Sequence, residues 1–291
     1  MLPTPQPSSE RLRASRRRAE RGRRVRLRDR DVDILVAVAK LRLARTSDLT
    51  RLFFGAAGTC QKRMRRLFDA GLVRTIVPDL ASENRYALTP LGHRLLHGAL
   101  DEEDVPAWRP APRVDSRSLA HLDLLNKYRV ALATGVQAHR VELPRFSPDW
   151  ELRSESPEAP LIPDAAVVLR KGQASLELAI EIDVGTEAPS VVRKKVATYE
   201  SLRLANRPVA GLVDPTVIFV VATLRRARSL ARTFAQASHG GVRVLVAAPP
   251  FVLVDGGLSR GLGTVPEVAA GEGEADPKTF RYGVLSLLRR P

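Results

Sequence analysis

The chain has 291 residues, 44% of them hydrophobic, a single cysteine and a formal net charge of +15. That length allows one large domain or two ordinary ones, and the apolar content excludes wholesale disorder. Cys60 alone excludes an internal disulfide and a cysteine-built zinc site, and no apolar run approaches a membrane span, so a soluble, cytoplasmic protein is expected. A sequence pI near 10.9 points to a polyanionic partner.

The charge is uneven along the chain. Residues 1–30 carry eleven arginines against three acids. "RLRASRRRAERGRRVRLRDR" has no helical apolar stripe, which argues against a helix lying on a membrane. Residues 1–29 therefore read as a disordered arginine-rich arm, with Arg16, Arg17, Arg18, Arg23 and Arg24 placed to neutralise phosphates. A merely solubilising tail is the plainer alternative.

Residues 30–100 follow as a small folded region. "DVDILVAVAKL" spaces Ile34, Leu35, Val38 and Leu41 as one helical face. "TSDLTRLFF" predicts a second helix capped by Thr46 or Ser47. "GTCQKRMRRLFDAG" predicts a third from near Thr59 to a stop at Gly71. "LVRTIVPDL" and "NRYALTP" read as two strands joined by a polar turn, and "LGHRLLHGAL" returns to helix. Three helices, a hairpin and a helix are the order of a winged helix-turn-helix. In the third helix Cys60, Met64, Leu67 and Phe68 share an inward stripe. Lys62 and Arg66 lie opposite, flanked by Arg63 and Arg65; with Thr59 and Gln61 they form a face suited to the DNA major groove. An ordinary solvated face is the alternative for such a helix. Arg74 and Arg85 on the hairpin strands are further candidates for backbone contact.

Residues 101–117, acidic and then proline-rich, read as a linker in which Trp108 is a packing anchor. Residues 118–254 predict an α/β domain with a mixed sheet: a helix at "LAHLDLLNKYRVALAT", a loop around "RFSPDWELRSESPEAPL", strands at "AAVVL" and "LELAIEIDV", and a helix that Ser190 would cap. The strand "TVIFVVAT", the helix "RARSLARTFAQA" and the strand "VRVLVAA" complete it. The glycine-rich residues 255–291 are expected to be irregular, with at most a short helix at "VLSLLRR".

The period of two in "LELAIEIDV" sets Glu181 and Asp183 on one face, and a turn at Lys171–Gln173 brings Asp164 near them. Three converging carboxylates repel unless a cation lies between, and magnesium or manganese is the usual solution. In "SVVRKKVATYESL" the stripe is Val192, Val196, Tyr199 and Leu202, with Lys195 on its flank and in need of an acidic partner. The three carboxylates and Lys195 thus form a candidate catalytic group. A structural ion pair between Lys195 and Asp164 or Glu181 uses the same residues, and spacing does not separate the two readings.

Pro163–Asp164 followed by Glu181–Ile182–Asp183 resembles the PD-(D/E)XK nuclease superfamily, except that Asp183 stands where that pattern has lysine; Lys195 on the next helix is placed to substitute. The combination of "GLVRTIVPDLASENRYALTPLG", "HLDLLNKYRVAL", "PDAAVVL", "EIDVGTE" and Lys195 through Tyr199 is closer to the replication-relaxation family of plasmid and mobile-element proteins. That resemblance covers about residues 30–250. It implies a winged helix joined to a nuclease-like domain and a role with double-stranded plasmid or chromosomal-element DNA. Activity as a metal-dependent nickase, with Asp164, Glu181 and Asp183 on the ion, stands beside a catalytically silent DNA-binding protein. A second copy of the chain and other replication proteins are the partners left open.

Overall fold

A computed structural model describes residues 26–76, 82–112, 115–138, 141–185, 187–237, 242–249, 252–254, 257–259 and 262–264. The arginines expected to act from the arm, Arg16, Arg17, Arg18, Arg23 and Arg24, lie outside the described residues, as does "VLSLLRR". The chain divides into two compact units whose boundary falls between Asp115 and Ser116.

The first unit contains α1 (Asp29–Leu41), β1 (Ala44–Arg45), α2 (Thr46–Phe53), α3 (Ala57–Asp69), β2 (Val73–Ile76), β3 (Arg85–Leu88) and α4 (Pro90–His97). This is the predicted winged-helix order with one addition. The two-residue β1 pairs with β3, completing a three-stranded antiparallel sheet in the order β1-β3-β2. Ile34, Leu35, Val38, Leu49, Cys60, Met64 and Leu67 are fully buried, so the helical stripes read from the sequence face inward. The cap of α2 differs from expectation: Arg45 is the N-cap, and the Asp48 carboxylate accepts its backbone N–H at 3.1 Å. Gly71 ends α3 as predicted. At φ +74° it lets its own N–H reach the Phe68 carbonyl while Leu72 N–H reaches Leu67, both at or below 3.0 Å.

The "YALTPLG" segment has a mechanical basis. Thr89 caps α4 by accepting the Gly92 N–H at 3.0 Å, and its hydroxyl donates to the Gly71 carbonyl at 2.6 Å. Pro90 fills the first helical position, where its missing donor costs nothing. A Cβ at Gly92 would stand 2.2 Å from the Leu72 carbonyl oxygen, so only glycine admits this approach of helix to hairpin. The described part of the expected linker folds back on the same unit. His93 Nε2 bonds the Pro106 carbonyl at 2.9 Å, and the Trp108 ring stands 5.3 Å from the His93 ring.

The second unit contains α5 (Ser116–Ala138), β4 (Glu142–Pro148), α6 (Asp149–Glu155), β5 (Ala165–Lys171), β6 (Ala174–Asp183), α7 (Pro189–Leu204), β7 (Thr216–Val221), α8 (Leu224–Ala237), β8 (Val244–Ala247), β9 (Val252–Val254), β10 (Gly257–Ser259) and β11 (Leu262–Thr264). Six strands form a mixed sheet in the order β11-β8-β7-β6-β5-β4. The β4-β5-β6 part is antiparallel, β6-β7-β8 is parallel, and β11 returns antiparallel to β8. The molecule is therefore a mixed α/β protein.

Both faces of this sheet are covered, as sheets with parallel strands require. α5 packs Leu125, Tyr128 and Leu132 against Val167, Leu178, Ile180 and Ile182 on one face. On the other, Val192, Val196 and Tyr199 of α7 and Leu230 and Phe234 of α8 pack against Ala166, Ala179, Val217 and Phe219.

Three expectations change here. "RFSPDWELR" is not a loop: it supplies the end of β4 and the start of α6. Pro144 and Pro148 are compatible with a strand because β4 is the sheet edge, where a missing donor breaks no ladder. The start of α7 is Pro189 after an Ala188 cap, not a Ser190 cap. The glycine-rich segment is not an irregular coil throughout: it holds β10, which pairs with β9, and β11, which pairs with β8. Among the described residues no helix is long and apolar enough to cross a membrane.

Candidate functional site

Each unit carries one candidate site. In the first, helical periodicity buries Cys60, Met64 and Leu67 of α3, and the opposite side is left to solvent. Thr59, Gln61, Lys62, Arg65 and Arg66 are exposed, and so is Arg74 on β2. Arg65 shares its charge with Asp69, 2.9 Å away one turn on.

Two arginines expected on this surface do other work. Arg63 turns inward and clamps α3 to α1: its Nε donates to Asp31 Oδ1 at 2.6 Å and its Nη2 to Asp31 Oδ2 and the Arg26 carbonyl. Asp31 is only 1% exposed and needs that countercharge. Arg85 is buried in the central strand of the small sheet, with Nη1 donating to the Glu83 carbonyl at 3.2 Å.

In the second unit the site lies at the end of β6 where it runs parallel to β7, the edge at which α/β sheets hold ligands. The hairpin register pairs Ala165 with Ile180, so Asp164 falls just past the ladder. Its Oδ2 accepts the Ile182 N–H at 2.6 Å, which fixes it beside Glu181. Glu181 and Asp183 project from the same face of β6, as the alternation predicted, but that face is roofed by helices. Glu181 is 3% and Asp183 1% exposed.

Each buried carboxylate is answered by a cation from the roof. Lys195 of α7 donates to Glu181 Oε2 and to Glu187 Oε1, both at 2.9 Å, and Tyr199 donates its hydroxyl to Glu181 Oε1 at 2.7 Å. Arg226 of α8 grips Asp183 Oδ2 with Nε at 2.8 Å and Nη2 at 2.6 Å, and also donates to the Glu187 carbonyl. Asp183 Oδ1 accepts the Gly185 N–H at 2.6 Å. On the α5 side, His121 Nε2 lies 3.2 Å from Asp164 Oδ1. Glu187 Oε2 is buried with no partner among the described residues.

The electrostatics follow from burial and pairing. Burial pushes the Glu181 carboxyl above its ordinary range; Lys195 opposes this and the Asp164 charge adds to it. Burial alone would lower Lys195, but the Glu181 and Glu187 carboxylates outweigh it and hold the ammonium charged. Tyr199 is pushed well up by burial and by Glu181, which suits its hydroxyl to donate to the Glu181 carboxylate. For His121, burial lowers and Lys195 lowers, yet the bond to Asp164 and the charges of Asp164 and Asp149 prevail and raise it.

The structure thus brings Asp164, Glu181 and Lys195 into one cluster and places Asp183 beside it in a separate pair. Four carboxylates face two fixed cations and one histidine, an arrangement that favours a further positive group. Asp183 departs from the expected three-carboxylate magnesium or manganese site, because Arg226 already neutralises it; Asp164 and Glu181 keep lone pairs beyond the one hydrogen bond that each Glu181 oxygen accepts. Among the described residues no group of three His, Cys, Asp or Glu is placed to hold a metal ion. Lys195, 27% exposed, uses two of its three N–H donors internally and has one left for a phosphoryl oxygen.

His121, Glu187 and Arg226 were not picked out as site residues from the sequence, and Tyr199 was read there as part of the apolar stripe and not as the donor to Glu181. For Arg226 a signal existed: it lies four residues before Leu230 and eight before Phe234, on the buried stripe of α8. A cation on an apolar stripe asks for an acid, which is the argument that picked out Lys195.

No curated protein matches the chain significantly. Among solved structures it is similar to the restriction endonuclease FokI, with 11% identity and a TM-score of 0.32 over 85% of this chain and 44% of that one. The DNA-bound structure of FokI is matched at 11% identity and a TM-score of 0.28 over the same shares of both chains. The chain thus spans less than half the length of that enzyme. The family model for replication-relaxation proteins matches residues 35–214, from the core of α1 to the turn before β7. With well over half of its length matched, the chain belongs to the replication-relaxation family.

Proposed function

We propose that the chain binds double-stranded DNA through the solvent face of α3, aided by the arginine-rich arm, and serves the replication or relaxation of a plasmid or other mobile element. The observation that carries this reading is the division of α3: Cys60, Met64 and Leu67 are buried, whereas Gln61, Lys62, Arg65 and Arg66 are exposed in a row. Exposed cations on the third helix of a winged helix match the demands of a groove lined by phosphates and guanine edges. The Lys62→Gln/Arg66→Gln variant tests it by fluorescence anisotropy on labelled duplex. Weaker binding with an unchanged melting curve is expected, and undiminished affinity overturns the role of α3.

A second reading is supported by the proximity of Asp164, Glu181 and Lys195: phosphodiester hydrolysis at the end of β6. In it the free N–H of Lys195 holds a phosphoryl oxygen and the Asp164–His121 pair faces the reacting group. Magnesium or manganese would share Glu181 with Lys195 and Tyr199, which each donate to one of its oxygens. The Asp183–Arg226 pair favours the opposite outcome, a silent domain whose carboxylates serve packing. Incubation with supercoiled plasmid, with magnesium, manganese or chelator, separates the two. Nicking lost in Asp164→Ala and Lys195→Ala supports hydrolysis, and DNA binding without nicking supports the silent domain.

A further inference from the structure

The second unit has a charged surface that the reading above does not use. α8 contains four arginines and no acid in "LRRARSLARTFAQA". Its faces are sharply divided. Leu230, Thr233 and Phe234 are buried, and Arg226 turns in with them to hold Asp183. Arg225, Arg228 and Arg232 are exposed at i, i+3 and i+7, which is a single outward stripe. No acidic side chain pairs with any of the three among the described residues, in contrast to Arg65, Arg153 and Arg203 elsewhere, which each hold an aspartate.

The stripe starts at the edge that carries the carboxylate cluster. β6 and β7 are parallel, so the helices that leave their ends, α7 and α8, both begin there and pack side by side. Arg193 and Lys194, near the start of α7, are exposed at the same edge. Arg193, Lys194, Arg225 and Arg228 thus lie on the first turns of the helices that roof the cluster, whose open donor is the Lys195 ammonium, and Arg232 continues the stripe along α8. Seven residues of helix rise about 10 Å, equal to roughly three phosphate steps of a DNA strand.

We infer that the α8 stripe, with Arg193 and Lys194, is a second DNA-backbone contact surface, which leads a phosphate strand past the end of β6. This rests on the DNA-binding function proposed above and adds to it that the second unit grips DNA through its own residues. Contacts of this kind carry no base specificity and reveal themselves in salt dependence.

The test uses the full chain and a labelled duplex titrated across a salt series, comparing wild type, Arg225→Gln/Arg228→Gln/Arg232→Gln, the corresponding triple lysine variant, and Lys62→Gln/Arg66→Gln. Each lost phosphate contact removes about 0.9 from the slope of log affinity against log salt, so the triple glutamine variant is expected to flatten it by about 2 to 3. The triple lysine variant keeps the charge and should keep the slope. A wild-type slope in the triple glutamine variant, alongside weakened binding by the α3 variant, overturns the stripe and leaves the proposed function standing. A wild type that does not bind duplex at any salt overturns both. Because the three side chains are exposed, melting curves of the variants should match wild type; a flattened slope shared by the lysine variant would mean altered folding and overturn the stripe.

Discussion

His121 is a residue through which pH is expected to act on the second unit. Its ring sits 3.2 Å from Asp164 and within the fields of Asp149 and Lys195, and its pKa is raised above the ordinary 6.5. A raised folded pKa means that the charged ring stabilises the fold fully below the ordinary value, and that this support is lost as pH rises through the folded one. His121→Ala should therefore lower the urea midpoint more at about pH 5.5 than at about pH 8.5. An equal loss at both would show that the ring contributes packing alone. Periodicity on α5 marks Leu122, Leu125 and Leu132 as the buried stripe but carries no sign that His121 meets Asp164, because that residue, just before β5, lies more than forty residues away.

At the scale of elements, α3 shows how neighbouring arginines divide their tasks. Lys62 and Arg66 face solvent, and Arg63 ties α3 to α1 through the buried Asp31. Removing the partner of a buried charge is costly, so Arg63→Ala should destabilise the first unit by about 3 kcal/mol in urea unfolding. Lys62→Ala and Arg66→Ala should each stay within about 0.5 kcal/mol of wild type. Equal costs for the three would remove the distinction between clamp and reading face. The elements themselves were largely legible. α1, α3, α4, β2, β3, β5, β6 and β7 follow from periodicity, turn residues and caps. β4 was hidden by prolines that only an edge strand tolerates, and β1 by its length of two residues.

Across the whole molecule the excess of positive charge is concentrated in three places: residues 1–25, the α3 face and the exposed side of α8. Arg26 and Arg28 belong to the fold and not to the arm, since the Arg26 carbonyl accepts from Arg63 and the Arg28 N–H is held by Asp31 at 2.7 Å. A deletion of residues 1–25 removes eight arginines and two acids. It should lower duplex affinity and flatten its salt dependence while the melting temperature stays as it was; unchanged affinity at low salt would assign the arm another task.

By itself the sequence determined the excess of positive charge, the two-part organisation, the inward face of each long helix and the convergence of Asp164 with Glu181. These depend on composition, on periods of 3.6 and 2, and on one tight hairpin, all of them local. Tertiary structure alone decided that the acidic face of β6 is roofed instead of wet, that Arg226 neutralises Asp183, and that Arg63 and Arg85 are withdrawn from the surface. Periodicity states which side of an element a residue occupies, but what covers that side comes from elements distant in the chain, and for a buried charge the cover sets its role.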